Sequence, residues 1–197
     1  MPNWCANSLK LTATTDEHRA LIARIVEAVE QSEGTNENPR IFNILKPMPE
    51  ELRTTVKGYS NDPEEMAKMQ AASAVCKAKY GYPDWYEWAL GEWGTKWDAS
   101  DVFAVKAKDT LFLNFDTAWS PPIELYKTLE QMGFKVQAGF VEQGVSYIGY
   151  YADGVDHTED IPHEGDIDED DYSDPFELSE FFQKNYGFDH APSHFGG

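Results

Sequence analysis

Apolar and polar residues alternate at the start of the chain. Within residues 7–14 the apolar Leu9, Leu11 and Ala13 alternate with polar residues, which is the period of a half-buried strand. After Thr15 the apolar residues recur every three or four positions as far as about Gln31. Thr15 also offers a side-chain oxygen that can cap a helix N-terminus. The chain is therefore predicted to begin with a strand followed by an amphipathic helix.

The pattern then changes twice before residue 100. Residues 40–45 are predicted to form a second strand, stopped by two prolines that cannot donate to a ladder. Beyond them, Pro63 and Pro83 each stand where a helix can start. Residues of about 50–100 are therefore predicted to be a helical insertion rich in tryptophan.

Strand patterning returns after the insertion. A helix is predicted to open at Pro121 and to end at Gly133. Short apolar-rich strands flank it, at residues 102–108, 110–117, 134–142 and 145–151. Two strand-helix-strand units in this order predict an α+β fold, a ferredoxin-like split β-α-β sandwich with its helices on one sheet face.

Charge separates the end of the chain from the rest. The chain carries a formal charge of −19, of which residues 153–197 hold −13, with fourteen Asp and Glu against one Lys. We therefore divide it into a ferredoxin-like domain over residues 1–152 and an acidic C-terminal extension with a short helix over residues 153–197. Such a surface repels phosphate backbones, so direct nucleic-acid binding is not expected. A partner protein with a basic surface is expected instead.

Four segments carry a resemblance to a known family: MPNWCANSL, FNILKPMPEEL, WGTKWDA and FDTAWSPP. In this order, from about Met1 to Tyr151, they resemble the YubB ferredoxin-like domain family, which is found in phages, plasmids and bacterial genomes. The resemblance implies a ferredoxin-like fold without an iron–sulfur cluster. The two cysteines, Cys5 and Cys76, agree with this because they cannot supply four thiolates. It implies no catalytic residues, but it places the protein among those that mobile elements use to modulate host processes.

Aromatic residues supply the candidate interaction surface. Five tryptophans fall within 35 residues: Trp85, Trp88, Trp93, Trp97 and Trp119. Tryptophan offers a large contact area at a small entropic cost, which suits recognition, although packing in the core is the alternative. Phe181 and Phe182 form an aromatic stripe on the helix predicted after Pro175. That helix is predicted to dock either on a partner's groove or on this protein's own sheet.

The sequence also leaves open two kinds of chemistry, acid–base catalysis and calcium binding. Four carboxylates flank the tryptophans and would suit acid–base catalysis if the fold joined them: Glu92, Asp98, Asp101 and Asp116. No Ser/His/Asp arrangement, phosphate loop or zinc motif supports an enzyme, so a non-enzymatic protein is the first expectation.

The extension contains the spacing of a calcium-binding loop. Asp166, Asp168, Asp170, Asp174 and Glu177 occupy positions one, three, five, nine and twelve of such a loop. Position six is an aspartate where the sharp turn requires glycine. Calcium is thus a candidate ligand, and no other cofactor is expected.

The remaining expectations concern location and role. The chain has no apolar run long enough to span a membrane and no basic and apolar leader, which predicts a cytoplasmic protein. The predicted role is an accessory protein of a phage or plasmid that binds and modulates a host protein. The target would be a defence or nucleic-acid-processing factor, bound through acidic mimicry of nucleic acid.

Overall fold

The protein, as a computed structural model, is described over residues 3–35, 37–142, 144 and 147–160. In this part of the chain six strands and six helices follow one another. They are β1 Trp4–Thr12, α1 Asp16–Ser32, α2 Ile41–Leu45, α3 Glu50–Arg53, α4 Pro63–Tyr80, α5 Trp85–Glu92, β2 Ser100–Ala107, β3 Thr110–Ala118, α6 Ile123–Gln131, β4 Lys135–Glu142, β5 Tyr147–Ala152 and β6 Val155–Asp160.

The strands form one antiparallel sheet in the order β2-β3-β1-β4-β5-β6. The unit β1-α1-β2 has β3 between its two strands, and the unit β3-α6-β4 has β1 between its own. This interleaving of two split β-α-β units is the ferredoxin-like arrangement. The predicted α+β, ferredoxin-like fold class is confirmed.

The core lies between one face of the sheet and two amphipathic helices. Ile22 and Ile25 of α1 and Leu125 and Leu129 of α6 are at most 1% exposed. They belong to one cluster with the inward residues of the central strands. Thr15 caps α1 as predicted, since its hydroxyl oxygen accepts a hydrogen bond from the third residue of the helix. Both helices therefore bury their apolar stripes on the same face of the sheet.

The predicted second strand at residues 40–45 is wrong, because Ile41–Leu45 form the short helix α2. The carboxylate of Asp98 accepts the backbone N–H groups of Phe42 and Asn43 and so satisfies the start of this helix. The cap comes from a residue more than fifty positions away, which no local pattern reveals. The strand that completes the first β-α-β unit is β2, after the four helices α2–α5.

The sheet extends further than the sequence predicted. Residues 155–160, which the charge pattern placed in the acidic extension, form β6 and pair with β5. Asp153 and Gly154 make the connecting turn with φ of 51° and 76°. Two positive φ angles are typical of a type I′ hairpin turn, and an Asp-Gly pair favours it. That dipeptide was the local signal for β6. Among the described residues, no helix is both long and apolar enough to cross a bilayer.

Candidate aromatic and cationic surface

A buried polar network joins the first strand to the end of β3. Asn7 is 1% exposed, and its Nδ2 donates to the Cys5 carbonyl oxygen at 2.7 Å and to Thr117 Oγ1 at 2.9 Å. Its Oδ1 accepts from the Tyr126 hydroxyl at 3.3 Å. A buried amide keeps its place when its donors and acceptors are paired. The segments MPNWCANSL and FDTAWSPP are therefore held together at one end of the sheet.

The turn WGTKWDA is tied to the same place. Thr95 Oγ1 donates to the Ala118 carbonyl oxygen at 2.9 Å, and Ser120 Oγ donates to the Gly94 carbonyl oxygen at 2.8 Å. Gly94 has φ of 88°, and a Cβ atom there would lie 3.0 Å from the backbone nitrogen of Ile123. Only glycine allows this close approach without strain. The turn therefore packs directly against the start of α6.

Asp98 fixes the fourth segment, FNILKPMPEEL. Its carboxylate accepts the N–H groups of Phe42 at 2.8 Å, Asn43 at 3.1 Å and Ala99 at 2.9 Å. Burial raises the pKa of Asp98 to about 6, because desolvation outweighs the backbone N–H groups that favour the charged form. Trp93 Nε1 also donates to the carbonyl oxygen of Lys46. All four segments that carry the resemblance thus meet at one end of the molecule.

Three exposed tryptophans, Trp4, Trp97 and Trp119, stand on these converging segments, and we call them the tryptophan surface. Their exposed fractions are 45%, 39% and 50%. The ring centroids of Trp4 and Trp97 lie 6.4 Å apart. Trp119 has φ of 73°, an unfavourable conformation for a bulky side chain. The backbone N–H of Trp119 donates to the Asn3 carbonyl oxygen, and the Trp119 carbonyl oxygen accepts from the Tyr147 hydroxyl.

The predicted interaction residues divide between core and surface. Trp88 and Trp93 are each 5% exposed and form an edge-to-face pair with centroids 5.2 Å apart. Trp85 is half-buried, whereas Trp97 and Trp119 belong to the tryptophan surface. Sequence reasoning missed Trp4, although it lies in the first of the four resembling segments. Phe181 and Phe182, together with the calcium-loop residues Asp166, Asp168, Asp170, Asp174 and Glu177, lie outside the described residues.

A groove of about 270 Å³ lies beside the tryptophan surface. Its lining includes Trp85, Trp93 and Trp97 together with the cationic side chains of Arg40, Arg53 and Lys96. We call it the cationic groove. Lys96 Nζ lies 4.3 Å from the ring centroid of Trp97, within the range of a cation–π contact.

The four carboxylates of the enzyme hypothesis are not brought to one place. Asp101 and Asp116 line a second cavity, of about 780 Å³, between the start of β2 and the loop that follows α1. Asp98 lines the cationic groove instead. Glu92 accepts from the hydroxyl of Tyr82 and pairs with Lys46. Two of the four carboxylates therefore share a cavity, and the other two serve as hydrogen-bond acceptors elsewhere.

Residues that can bind metals are scattered in the part of the chain that the structure describes. No group of three or more His, Cys, Asp or Glu side chains there is placed to hold a metal ion. Cys5 and Cys76 are both buried, in β1 and α4. Burial raises the pKa of the Cys5 thiol to about 12, so this thiol stays protonated.

Comparisons with known proteins found a family model and a solved structure that are similar to this chain. Residues 92–189 match the family model described as the ferredoxin-like domain in Api92-like protein. A crystal structure of the protein api92 from Yersinia pseudotuberculosis is similar with 13% identity and a TM-score of 0.43, over 82% of this chain and 99% of that one. No curated protein matches the chain. Over residues 92–189 the chain is therefore similar to the ferredoxin-like domain of Api92-like proteins, in agreement with its sheet order.

Proposed function

We propose that this protein is a non-enzymatic accessory protein of a mobile genetic element, a phage or plasmid, that binds and modulates a host protein. The tryptophan surface makes the central contact in this proposal. The acidic extension attracts the partner's basic surface and, in the strongest form of the proposal, takes the place of nucleic acid there. A host defence or nucleic-acid-processing factor fits these requirements.

The observation that carries the proposal is the exposure of three tryptophans on a rigid support. Exposed indole rings cost free energy in water, and tryptophan is enriched among the residues that dominate protein interfaces. Strand pairing with Ala118 holds the backbone of Trp4, and hydrogen bonds with Asn3 and Tyr147 hold the backbone of Trp119, before any partner arrives. A preorganised surface of this kind loses little conformational entropy on binding.

The negative charge of the extension supports the proposed attraction to a basic partner surface. Residues 153–197 carry −13, and carboxylates spaced along a surface attract the same basic groups that bind phosphates. Electrostatic attraction of this kind chiefly raises the association rate and weakens as salt screens it. The extension therefore accelerates the encounter, while the tryptophan surface determines how long the complex lasts.

The experiment is affinity capture from bacterial lysate with the full chain and matched variants. Trp97→Ala combined with Trp119→Ala is expected to remove the specific partner. Tyr59→Ala, at a residue that is 77% exposed in the segment between α3 and α4, is the control and is expected to retain it. Added duplex DNA is expected to release the partner if the extension mimics nucleic acid. Equal capture by all variants, with no release by DNA, would contradict the proposal.

The carboxylate enzyme is a second candidate, supported by the shared cavity of Asp101 and Asp116. A working acid–base pair requires one carboxyl group with a raised pKa and one with an ordinary pKa. Carbon-detected NMR titration of the aspartate carboxyls measures this directly. Two ordinary titration curves for Asp101 and Asp116 would remove the enzyme proposal.

Calcium binding remains a proposal for the loop Asp166–Glu177. Carboxylates at the first, third, fifth, ninth and twelfth positions support it. Calorimetry with calcium is expected to give binding heat that Glu177→Gln reduces strongly, because the residue at the twelfth position is normally a bidentate ligand. Absence of heat above the buffer blank would exclude the site.

A further inference from the structure

The cationic groove stands out because three cationic side chains, those of Arg40, Arg53 and Lys96, line it against the single carboxylate of Asp98. Within the described part of the chain, no carboxylate forms an ion pair with the side chain of Arg40 or Lys96. Arg53 pairs with Glu50 at 3.7 Å, and its guanidinium donates to the Met48 carbonyl oxygen and to Asn43 Oδ1. In a protein of net charge −19, a groove lined by three cationic side chains and one carboxylate indicates a site for an anion.

The one carboxylate that lines the groove, that of Asp98, already accepts hydrogen bonds from the backbone. Asp98 accepts three backbone N–H groups, so its oxygens point into the start of α2 and toward Ala99. Its charge attracts that of Arg40, which reduces the repulsion that an anion in the groove would meet. The rim also contains a strained residue, because Arg40 has φ of 52°. A non-glycine residue in this conformation costs free energy and is often found at functional positions.

The walls of the groove are flat aromatic rings. Trp85 and Trp97 contribute partly exposed rings to the lining, and Met48 and the buried Trp93 lie beside them. Indole rings stack on the planar faces of nucleobases, and each such stack contributes substantially to binding. A volume of about 270 Å³ is small compared with typical ligand pockets and suits a single planar group.

We propose that the cationic groove binds one nucleoside phosphate. The phosphate contacts Arg40 and Lys96, and the base lies against the indole rings of Trp85 and Trp97. Arginine matches phosphate geometry through two parallel N–H groups. A phosphate monoester carries nearly two negative charges and uses several cations, whereas one side-chain carboxylate of an acidic peptide uses a single cation. The groove therefore favours a nucleotide over an acidic peptide.

The overall negative charge of the protein favours a ligand with a single nucleotide over a long strand. A long strand brings many phosphates against the acidic remainder of the surface, which repels them. A free nucleotide, or the terminal nucleotide of a strand, places one phosphate in the groove and avoids that repulsion. The groove shares Trp97 with the proposed host-protein contact. Nucleotide calorimetry and capture of a host protein measure the two separately, so either can fail without the other.

Calorimetry on the full chain with adenosine monophosphate tests the proposal. Arg40→Gln and Lys96→Gln are each expected to weaken binding about tenfold or more, since a hydrogen bond to a charged group is lost. Lys68→Gln, on α4 and outside the groove lining, is the matched control and is expected to leave binding unchanged. Trp97→Phe is expected to retain most of the affinity and Trp97→Leu to lose it.

Further ligands distinguish a free nucleotide from a strand end, and a nucleotide from an acidic peptide. Adenosine and inorganic phosphate are each expected to bind at least tenfold more weakly than the monophosphate, because each lacks one half of the recognised group. A tetranucleotide that binds better with a 5′ phosphate than without it would identify a strand end as the source. Preferential binding of the free nucleotide would identify the small molecule. Absence of heat with every nucleotide, equal weakening by Lys68→Gln, or tighter binding of a glutamate-rich peptide would overturn the proposal.

Discussion

At the scale of single residues, a few buried polar groups decide how this end of the molecule is built. Asp98 links three backbone N–H groups, two of them in a helix that local patterning does not predict. Asn7 performs the equivalent task between β1 and β3. Each such group is costly to remove, because its buried partners then lose their hydrogen bonds without gaining water.

Asp98→Asn is expected to destabilise the protein by about 1–3 kcal/mol, the usual cost of leaving a buried hydrogen-bonding group unpaired. The amide retains a single acceptor oxygen, so at least one backbone N–H at the start of α2 loses its partner. Urea unfolding measures the free energy. Asp62→Asn, at the exposed N-cap of α4, is the control and is expected to change little, because asparagine caps a helix about as well as aspartate. Equal losses would contradict the role given to Asp98.

The stability contributed by Asp98 is also expected to depend on pH. Its folded-state pKa, about 6, lies above its ordinary value, so between these two values the folded state binds more protons than the unfolded state. This group's contribution to the free energy of unfolding therefore falls as pH rises from 4 to above 6. The difference in stability between wild type and Asp98→Asn is expected to increase as pH is lowered from 7 to 4. A difference that stays constant would show that Asp98 titrates normally.

At the scale of elements, the tryptophan surface is supported by the close contact between the turn WGTKWDA and α6. Gly94→Ala is expected to destabilise by roughly 2–4 kcal/mol, since the new Cβ meets backbone atoms and the positive φ adds strain. Gly81→Ala is a matched control, with φ of 84° and nothing within 4 Å of the new atom. It is expected to cost only about 1 kcal/mol. Thermal unfolding of both variants provides the comparison.

The helix α4 is expected to open more readily than the two core helices. Cys76 is its one buried residue, although the helix runs for 18 residues, whereas α1 buries four. Helices gain most of their stability from packing an apolar face, so α4 depends on its own hydrogen bonds and caps. Hydrogen exchange is expected to be faster for α4 amides than for those of α1 and α6. Equal protection would mean that α4 is covered in solution.

At the scale of the whole molecule, the formal charge of −19 opposes the compact state through self-repulsion. Raising sodium chloride from 0.01 M to 0.15 M shortens the screening length from about 30 Å to about 8 Å. We expect the unfolding midpoint to rise by about 2–4 °C, equivalent to a gain of roughly 1 kcal/mol. Differential scanning calorimetry measures this. A fall in the midpoint would mean that the exposed ion pairs outweigh the net repulsion.

Much of this architecture follows from the sequence alone. The helices α1, α4, α5 and α6 and the strands β1 to β5 are readable because hydrophobic period, proline and glycine act within a few residues. The order of these elements then leaves few topologies, which is why the fold class was predictable. Composition identified the tryptophan-rich region but could not separate its buried tryptophans from its exposed ones, because burial is not a local property.

Only the tertiary structure decided the remaining features. It made residues 41–45 a helix through the distant Asp98. It buried Trp88 and Trp93 while leaving Trp4, Trp97 and Trp119 exposed, and it gathered three cations around one groove. These outcomes depend on contacts between residues far apart in the chain. Local periodicity determines which segments form, whereas the free energy of packing determines which side chains meet.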